Sequence, residues 1–456
     1  MYINEISIHN VKLFREVNLS FLEEGQPRKW TVLIGENGLG KTTILQAIAM
    51  AASGRDRSNQ LANIVSLPRR RIKSAHAEIL AVFSFGDLGH NHRSYPRLAS
   101  RPLVPPKLNT TIAIAPGNAI AMGSSSYTKE ENDGGEKFRT AGKFDPKKVR
   151  DWFRLDPISQ ARAKNLPGWF VVGYGVDRRL PSPNNAPKLD DPAFQRMASL
   201  FDKGPIMATG FADLFESESR LKVREFTKSV KKALLDNSKV LPRVNDLELR
   251  GRSGVSAKRL IEGDRFSFVI GKSTVRIPAT WLSQGYQATI AWIADLIGQM
   301  FWDAKKPVDV AEMEGLVLID EIDIHLHPTW QVNLIQALKT TFPRIQFVVT
   351  THSPMVLPGL KKEEILRVRQ TEQGSVVVEP VEESPAVMTG SELYDAFFGI
   401  NGLFAKEIGE QLRKYSYLSS DPFRSDEEDR EMRRIQQALK QADVLPEWEP
   451  VGREPL

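Results

Sequence analysis

No cysteine occurs among the 456 residues, which excludes disulfides, thiolate zinc sites and a cysteine nucleophile and fits a chain that never needed an oxidising compartment. No stretch approaches the roughly 18 consecutive apolar residues of a membrane-spanning helix. The opening MYINEISIHNVKLF alternates like a strand instead of pairing a basic flank with an apolar core, so no secretory signal is expected and the cytoplasm is the expected compartment. Between Met50 and Ala279 no a/d apolar heptads persist and prolines recur at Pro68, Pro96, Pro102, Pro105 and Pro106, so long coiled-coil arms are excluded. Charge of one sign is scarce in excess: 62 basic against 56 acidic residues leave +6, too little to identify a nucleic-acid binder. Arg69-Arg70-Arg71-Ile72-Lys73 and Lys231-Lys232 read first as solvated basic faces, with phosphate contact as the second reading. What remains is an ordinary globular composition, 41% hydrophobic and 26% charged, in a chain long enough for two lobes or one domain with a large insertion.

The first positive signal is WTVLIGENGLGKTTILQAIAM, a β-branched apolar run, a glycine-rich loop and a run of helix formers. Gly35 to Thr42 satisfies G-x-x-x-x-G-K-[ST] in the strand-loop-helix context that the motif requires. The chemistry follows from the residue types. Glycines let successive N–H groups curl around a β-phosphate, Lys41 reaches β and γ oxygens, and the Thr42 hydroxyl can ligate Mg²⁺.

Far downstream, EGLVLIDEIDIHLHPTW carries an apolar run, Leu316 to Ile319, that ends abruptly in Asp320-Glu321. A fully buried parallel strand is expected, with both acids at the carboxyl edge where ligands of such sheets collect. Asp320 suits a Mg²⁺ holder; Glu321, facing differently, suits a general base for the attacking water. Asp323, His325 and His327 precede Pro328, whose fixed φ suits a helix start, and no further ligand cluster accompanies them to build a zinc site. RIQFVVTTHSP reads as another buried strand ending at His352, which would emerge at the same edge and is placed to sense a γ-phosphate. WLSQGYQATIAWIADLI offers a hydroxyl, an amide and bare backbone at a helix start, and with them unpaired N–H groups that favour an anion at Ser283 and Gly285.

In this order, GENGLGKTT, LSQGYQ, LVLIDEID with HLHP, and TTHSP resemble the ABC-type ATPases of the RecF and SMC group. The resemblance implies an α/β P-loop NTPase head, a mixed or parallel sheet with flanking helices, an inserted helical and β lobe and a C-terminal helical region. It implies ATP and Mg²⁺ as cofactors. Gly35, Glu36, Asn37, Gly38, Gly40, Lys41, Thr42 and Thr43 would form the Walker A loop, Thr42 and Asp320 would hold the metal, and Glu321, His352 and Lys41 would be catalytic. Asp323 would be the D-loop residue, and Ser283 and Gly285 would belong to the signature that binds the γ-phosphate held by another subunit. The signature here carries Gln284 and Tyr286 where the family commonly has Gly and Gln, and the glutamine that ABC ATPases place at a strand end is missing. No glutamine occurs from Leu61 to Ser159, Gln160 and Gln195 lie in helix-like stretches, and Arg178 or Tyr174 of WFVVGYGVDRRLP is left to take its place, with slow hydrolysis as the expectation. WLSQGYQ, IDEIDIHLHPTWQ and FVVTTHSP together are similar to the bacterial anti-phage defence ATPases of the Septu and retron systems, which act with an HNH endonuclease. That resemblance implies a homodimer or higher oligomer, a nuclease subunit as partner, and no membrane. The alternative is a RecF-like repair ATPase that contacts DNA directly.

The expected organisation is an ATPase part at 1–60, an inserted lobe at 61–275 with a flexible loop near 122–144, a second ATPase part at 276–370 and a strand and helical region at 371–456. Phe226, Val230 and Leu234, with Leu214 and Leu221, recur at helical spacing, and RFSFVIGKSTVRIP reads as a hairpin turning at Gly271-Lys272. SELYDAFFGINGLF presents Leu393, Phe397, Phe398 and Phe404 for docking, on this chain or on a partner. No strand-end glutamate with a later Asp-x-Asp is seen in the last hundred or so residues, so nuclease activity is expected only from another chain.

Overall fold

The computed structural model describes residues 1–69, 76–85, 107–115, 117–127, 156–164, 169–178, 191–202, 220–236, 241, 243–248, 265–270, 273–278, 281–304, 307–399, 406–421 and 423–442. These form two compact units, Met1–Val387 and Met388–Leu456.

The first unit is organised by a six-stranded sheet in the order Val376–Pro380, Ile365–Gln370, Trp30–Gly35, Ile345–Thr350, Gly315–Ile319, Val171–Tyr174. All neighbours are parallel except the edge strand Val376–Pro380. WTVLIG, IQFVVT, GLVLI and VVGY are buried at every position, as expected when helices and a second sheet cover both faces. Between the phosphate-loop strand, Trp30–Gly35, and the carboxylate strand, Gly315–Ile319, runs the histidine strand, Ile345–Thr350. Trp30 and Phe347 stack across one of these joints with ring centroids 4.4 Å apart.

A second sheet is antiparallel, in the order Phe14–Ser20, Tyr2–Val11, Ala77–Ser84, Leu108–Ile114, Met122–Tyr127. Ala77–Ser84 and Leu108–Ile114 alternate buried and half-buried residues. Gln346, fully buried, joins the two sheets: its Nε2 donates to the carbonyls of Ile3 and Arg28, and its Oε1 accepts from the Ile3 N–H at 2.7 Å. The phosphate-loop helix, Lys41–Leu61, packs against strands of both sheets, which fixes the loop before it. Strands from inside 61–275 thus belong to both sheets, Ala77–Ser84 with the first residues of the chain and Val171–Tyr174 beside the carboxylate strand.

The stretch Met122 to Phe144, expected as a loop, begins instead with the edge strand Met122–Tyr127. Pairing along Leu108–Ile114 and the bond from the Ile158 N–H to buried Ser125 Oγ override its Gly/Ser-rich composition; the rest of that loop lies outside the described residues. Arg220–Lys231 is the expected helix and runs on into a π-helical turn, Lys232–Asp236; Phe226, Val230 and Leu234 are fully buried, while Leu214 lies outside the described residues. The strands Arg265–Ile270 and Ser273–Pro278 pair antiparallel as the hairpin reading requires, while Gly271 and Lys272, the expected turn, lie outside the described residues. The signature helix, Gln284–Ala304, is buried almost all round.

In the second unit lie the helices Gly390–Phe398, Lys406–Ser420 and Asp426–Gln441. Thr389 with Glu392 and Ser425 with Glu428 form capping boxes that start the first and the last of them. Leu393 and Phe397 are buried, and Phe404 lies outside the described residues.

Candidate functional site

Three parallel strands deliver their carboxyl ends to one edge, and the candidate residues emerge there. The phosphate-loop strand ends at Gly35, whose φ of +143° and close approach to the Val368 carbonyl leave no room for a side chain: a Cβ would lie 2.1 Å from that oxygen. Glu36, Asn37 and Gly38 are exposed at the rim of the loop. Gly40 caps the helix in the left-handed region, and Lys41, Thr42 and Thr43 form its first turn. Lys41 is buried and its Nζ donates to the carbonyls of Gly35 and Glu36 at 2.7 and 2.8 Å, so the ammonium is held over the loop. Burial draws its pKa down to about 8, and Asp320, Glu321 and Glu36 oppose that shift.

The carboxylate strand ends in Asp320, to which two threonines donate. Thr42 Oγ1 reaches Asp320 Oδ2 at 2.7 Å and Thr350 Oγ1 reaches Oδ1 at 2.6 Å. Thr350, at the end of the intervening histidine strand, also accepts the Glu321 N–H at 2.7 Å. One hydroxyl thereby links the backbone of Glu321 to the carboxylate of Asp320. Thr350 is the site residue that the sequence pattern missed; the doubled threonine before His352 is its only trace. Glu321 has φ +46°, a left-handed conformation rare for a side chain of its size. Burial, then Asp320 and Asp323, raise its pKa, while Arg178 and Lys41 oppose the rise. Half-buried His352 has its pKa lowered by burial and by Lys41, so it is held neutral further into acid than an ordinary histidine.

Asp323 turns inward and accepts a hydrogen bond from Thr351 Oγ1. His325 and His327 are exposed, and His327 Nδ1 caps the helix Pro328–Thr341 by accepting the Thr329 N–H. Among the described residues no cluster of three or more His, Asp or Glu is placed to hold a metal ion by itself. Thr42 and Asp320 nonetheless offer two adjoining hard oxygen donors, the kind of incomplete set that Mg²⁺ completes with substrate phosphates and water.

Ser283 is exposed at the head of the signature helix, whereas Gly285 is buried under the His325 carbonyl, where a Cβ would lie 2.3 Å from the oxygen. Among the described residues no hydrogen bond ties either of them to the phosphate loop of the same chain. Tyr174 does not stand in for the missing strand-end glutamine, since its hydroxyl donates to buried Asp295 at 2.8 Å, inside the core. Arg178 does come to the site, but through the main-chain carbonyls of Asp320 and Glu321. Gln160 and Gln195 lie in the short helices Pro157–Lys164 and Pro192–Ala198.

With this geometry the comparisons with known proteins agree. The family model described as "AAA domain, putative AbiEii toxin, Type IV TA system" matches residues 125–357, just over half of the chain. This chain belongs to that AAA family. The "AAA ATPase domain" model matches residues 1–160, so together the two matches cover both the phosphate loop and the carboxylate pair. The AAA chain is 25% identical over 456 residues to the Septu protein PtuA of Bacillus mycoides (strain KBAB4), 99% of this chain and 51% of that protein. It therefore spans about half the length of that relative. It is also 25% identical over 389 residues to the "Retron Ec83 probable ATPase" of Escherichia coli, covering 79% of this chain and 70% of that protein. Among solved structures an SMC head bound to the C-terminal winged-helix domain of ScpA shares 16% identity at a TM-score of 0.45, over 85% of this chain and 99% of that one, too distant to add to the topology described above. No described helix is long and apolar enough to cross a membrane.

Proposed function

We propose that this AAA chain binds and hydrolyses MgATP, and that two copies close around the nucleotide to regulate a partner nuclease in anti-phage defence. The observation that carries the reading is the convergence of Lys41, Thr42, Asp320 and Glu321 at one sheet edge, where Thr42 and Asp320 already touch. Loop N–H groups and Lys41 would bind the phosphates. Thr42 and Asp320 would hold Mg²⁺, which when bound neutralises phosphate charge. Glu321, its proton affinity raised by burial and acidic neighbours, would take the proton of the attacking water, and neutral His352 would hydrogen-bond the γ-phosphoryl group.

The signature residues support closure by a second copy. Ser283 faces solvent at a helix start with no bond to its own phosphate loop among the described residues, so the anion it suits would arrive on another subunit. Contacts that exist only with a γ-phosphate present would favour the closed pair, and hydrolysis would release it. The nuclease partner, an HNH endonuclease subunit of the PtuB type, is proposed from the likeness to the Septu protein PtuA.

Glu321→Gln tests the reading. Phosphate release should fall about 10²–10⁴-fold with ATP still bound, the range that loss of a general base produces. Size-exclusion chromatography with ATP should show more of the associated form. Wild-type turnover in the variant would remove Glu321 as the base.

A further inference from the structure

Arg178 has no place in the phosphate-binding pattern, yet its side chain is buried at the sheet edge as deeply as that of Lys41. The chain leaves the Val171–Tyr174 strand beside the carboxylate strand, where the Asp320 N–H donates to the Tyr174 carbonyl at 2.8 Å. It then turns through Gly175, packed so closely on the Ser199 carbonyl that a Cβ would lie 2.2 Å from it, and brings Arg178 back underneath the acids. Arg178 is 5% exposed. Its Nη1 donates to the carbonyls of Gly175 at 3.1 Å and Asp320 at 2.6 Å, and its Nη2 donates to the Glu321 carbonyl at 2.5 Å.

Consecutive carbonyls of an extended strand point to opposite sides, so one guanidinium cannot ordinarily receive two of them. The left-handed φ of +46° at Glu321 brings the second carbonyl round to the first. Such a backbone is strained for a non-glycine residue and persists only where neighbours over-determine it. Here they do so from both sides, with Thr350 Oγ1 taking the Glu321 N–H and Arg178 taking the two oxygens. Among the described residues the Glu321 carboxylate itself makes no hydrogen bond. The backbone is clamped and the side chain is left for the reaction.

We infer that Arg178 is a positioning residue for ATP hydrolysis, holding Glu321 through its main chain in the conformation that aims the carboxylate. The inference rests on the reading of Glu321 as the base. It also accounts for what stands where a strand-end glutamine is missing: a clamp behind the carboxylates instead of a side chain in front of them.

The test compares Arg178→Lys and Arg178→Ala with wild type in steady-state phosphate release and in ATP-binding titrations. A misplacement of about 1 Å at a reacting group costs about 10²-fold. A loss of that order in kcat is expected for both variants, with KM and ATP affinity little changed. Lysine should fail like alanine because a point charge cannot bridge two carbonyls in one plane. Guanidinium ion at a non-denaturing concentration should restore part of the turnover of Arg178→Ala. In the Glu321→Gln background Arg178→Lys should lower residual turnover no further. Wild-type kcat in Arg178→Lys would overturn the inference, and so would a kcat loss that only tracks the fraction able to bind ATP. If Arg178→Ala does not fold, Arg178→Lys and its double variant decide alone. If Glu321→Gln turns over normally, it is the assignment of the base that fails. If Glu321→Gln is inactive while the Arg178 variants turn over normally, only the clamp fails.

Discussion

At the scale of residues the site depends on hydroxyls as much as on acids. Thr350 donates to Asp320 and accepts from the Glu321 N–H, so Thr350→Val removes both bonds while keeping the shape. Leaving a buried donor and acceptor unsatisfied costs about 1–3 kcal/mol. Chemical denaturation should show that loss, with phosphate release falling more steeply than ATP binding; unchanged stability and turnover would show the bridge to be idle. The phosphate loop and the acid pair were legible in the sequence because their chemistry fixes both residue type and spacing. Thr350 was not, and Arg178 was legible only as one of two candidates for the missing glutamine's place, because each acts on main-chain or neighbouring groups on another strand, and no local pattern records which strands will be adjacent.

At the scale of elements the signature helix is seated by a glycine. Gly285 lies under the His325 carbonyl, so a methyl group there meets fixed backbone and not a movable side chain. Gly285→Ala should push the helix start away at a cost of about 1–3 kcal/mol, the usual penalty of overpacking. Thermal melting checks this, and a variant that melts like wild type would mean that the helix shifts freely. Tyr286 packs edge-on against Trp330 with ring centroids 4.3 Å apart, which joins the signature helix to the helix Pro328–Thr341 as well. The sequence marked the helix start as a place that suits an anion; it did not reveal that Gly285 packs against the His325 carbonyl inside one chain. The edge strand Met122–Tyr127 teaches the converse, since a Gly/Ser-rich run became a strand once a partner strand and the Ser125 contacts were supplied.

At the scale of the whole molecule, a buried polar network ties the signature helix to the sheet. Tyr174 donates to Asp295, and Arg196, on another helix, pairs with Asp303 at 3.1 Å with both side chains 3% exposed. Burial pushes the Asp295 carboxyl up to about 7, despite hydrogen bonds from Tyr174 and Gln299 that oppose the shift. An unfolded aspartate titrates near 3.9, so between that value and about 7 the folded chain binds the extra proton and stability falls as pH rises. From about pH 5.5 to about pH 8 the fall amounts to about 2 kcal/mol, because one proton bound only by the folded chain is worth about 1.36 kcal/mol for each step of one in pH. Asp295→Asn should flatten that part of the stability curve and raise the melting temperature at about pH 8; an unaltered slope would show that Asp295 is ionised in the fold. Closure between copies has its own test. Lys41→Ala and Ser283→Arg chains should each be inactive alone and should regain phosphate release on mixing, because one of the two mixed sites is intact. No recovery would place the signature outside any shared site.

The sequence alone determined the phosphate loop, the acid pair, the buried parallel strands and their shared edge, since apolar runs that end in reactive residues encode both burial and chemistry locally. Only the tertiary structure decided that the histidine strand lies between loop and acids, that Tyr174 faces the core while Arg178 grips Asp320 and Glu321, and that the strands Ala77–Ser84, Leu108–Ile114 and Met122–Tyr127 complete the N-terminal sheet. Those outcomes depend on strand order and on main-chain groups, which every residue carries alike and which a side-chain pattern therefore cannot spell out.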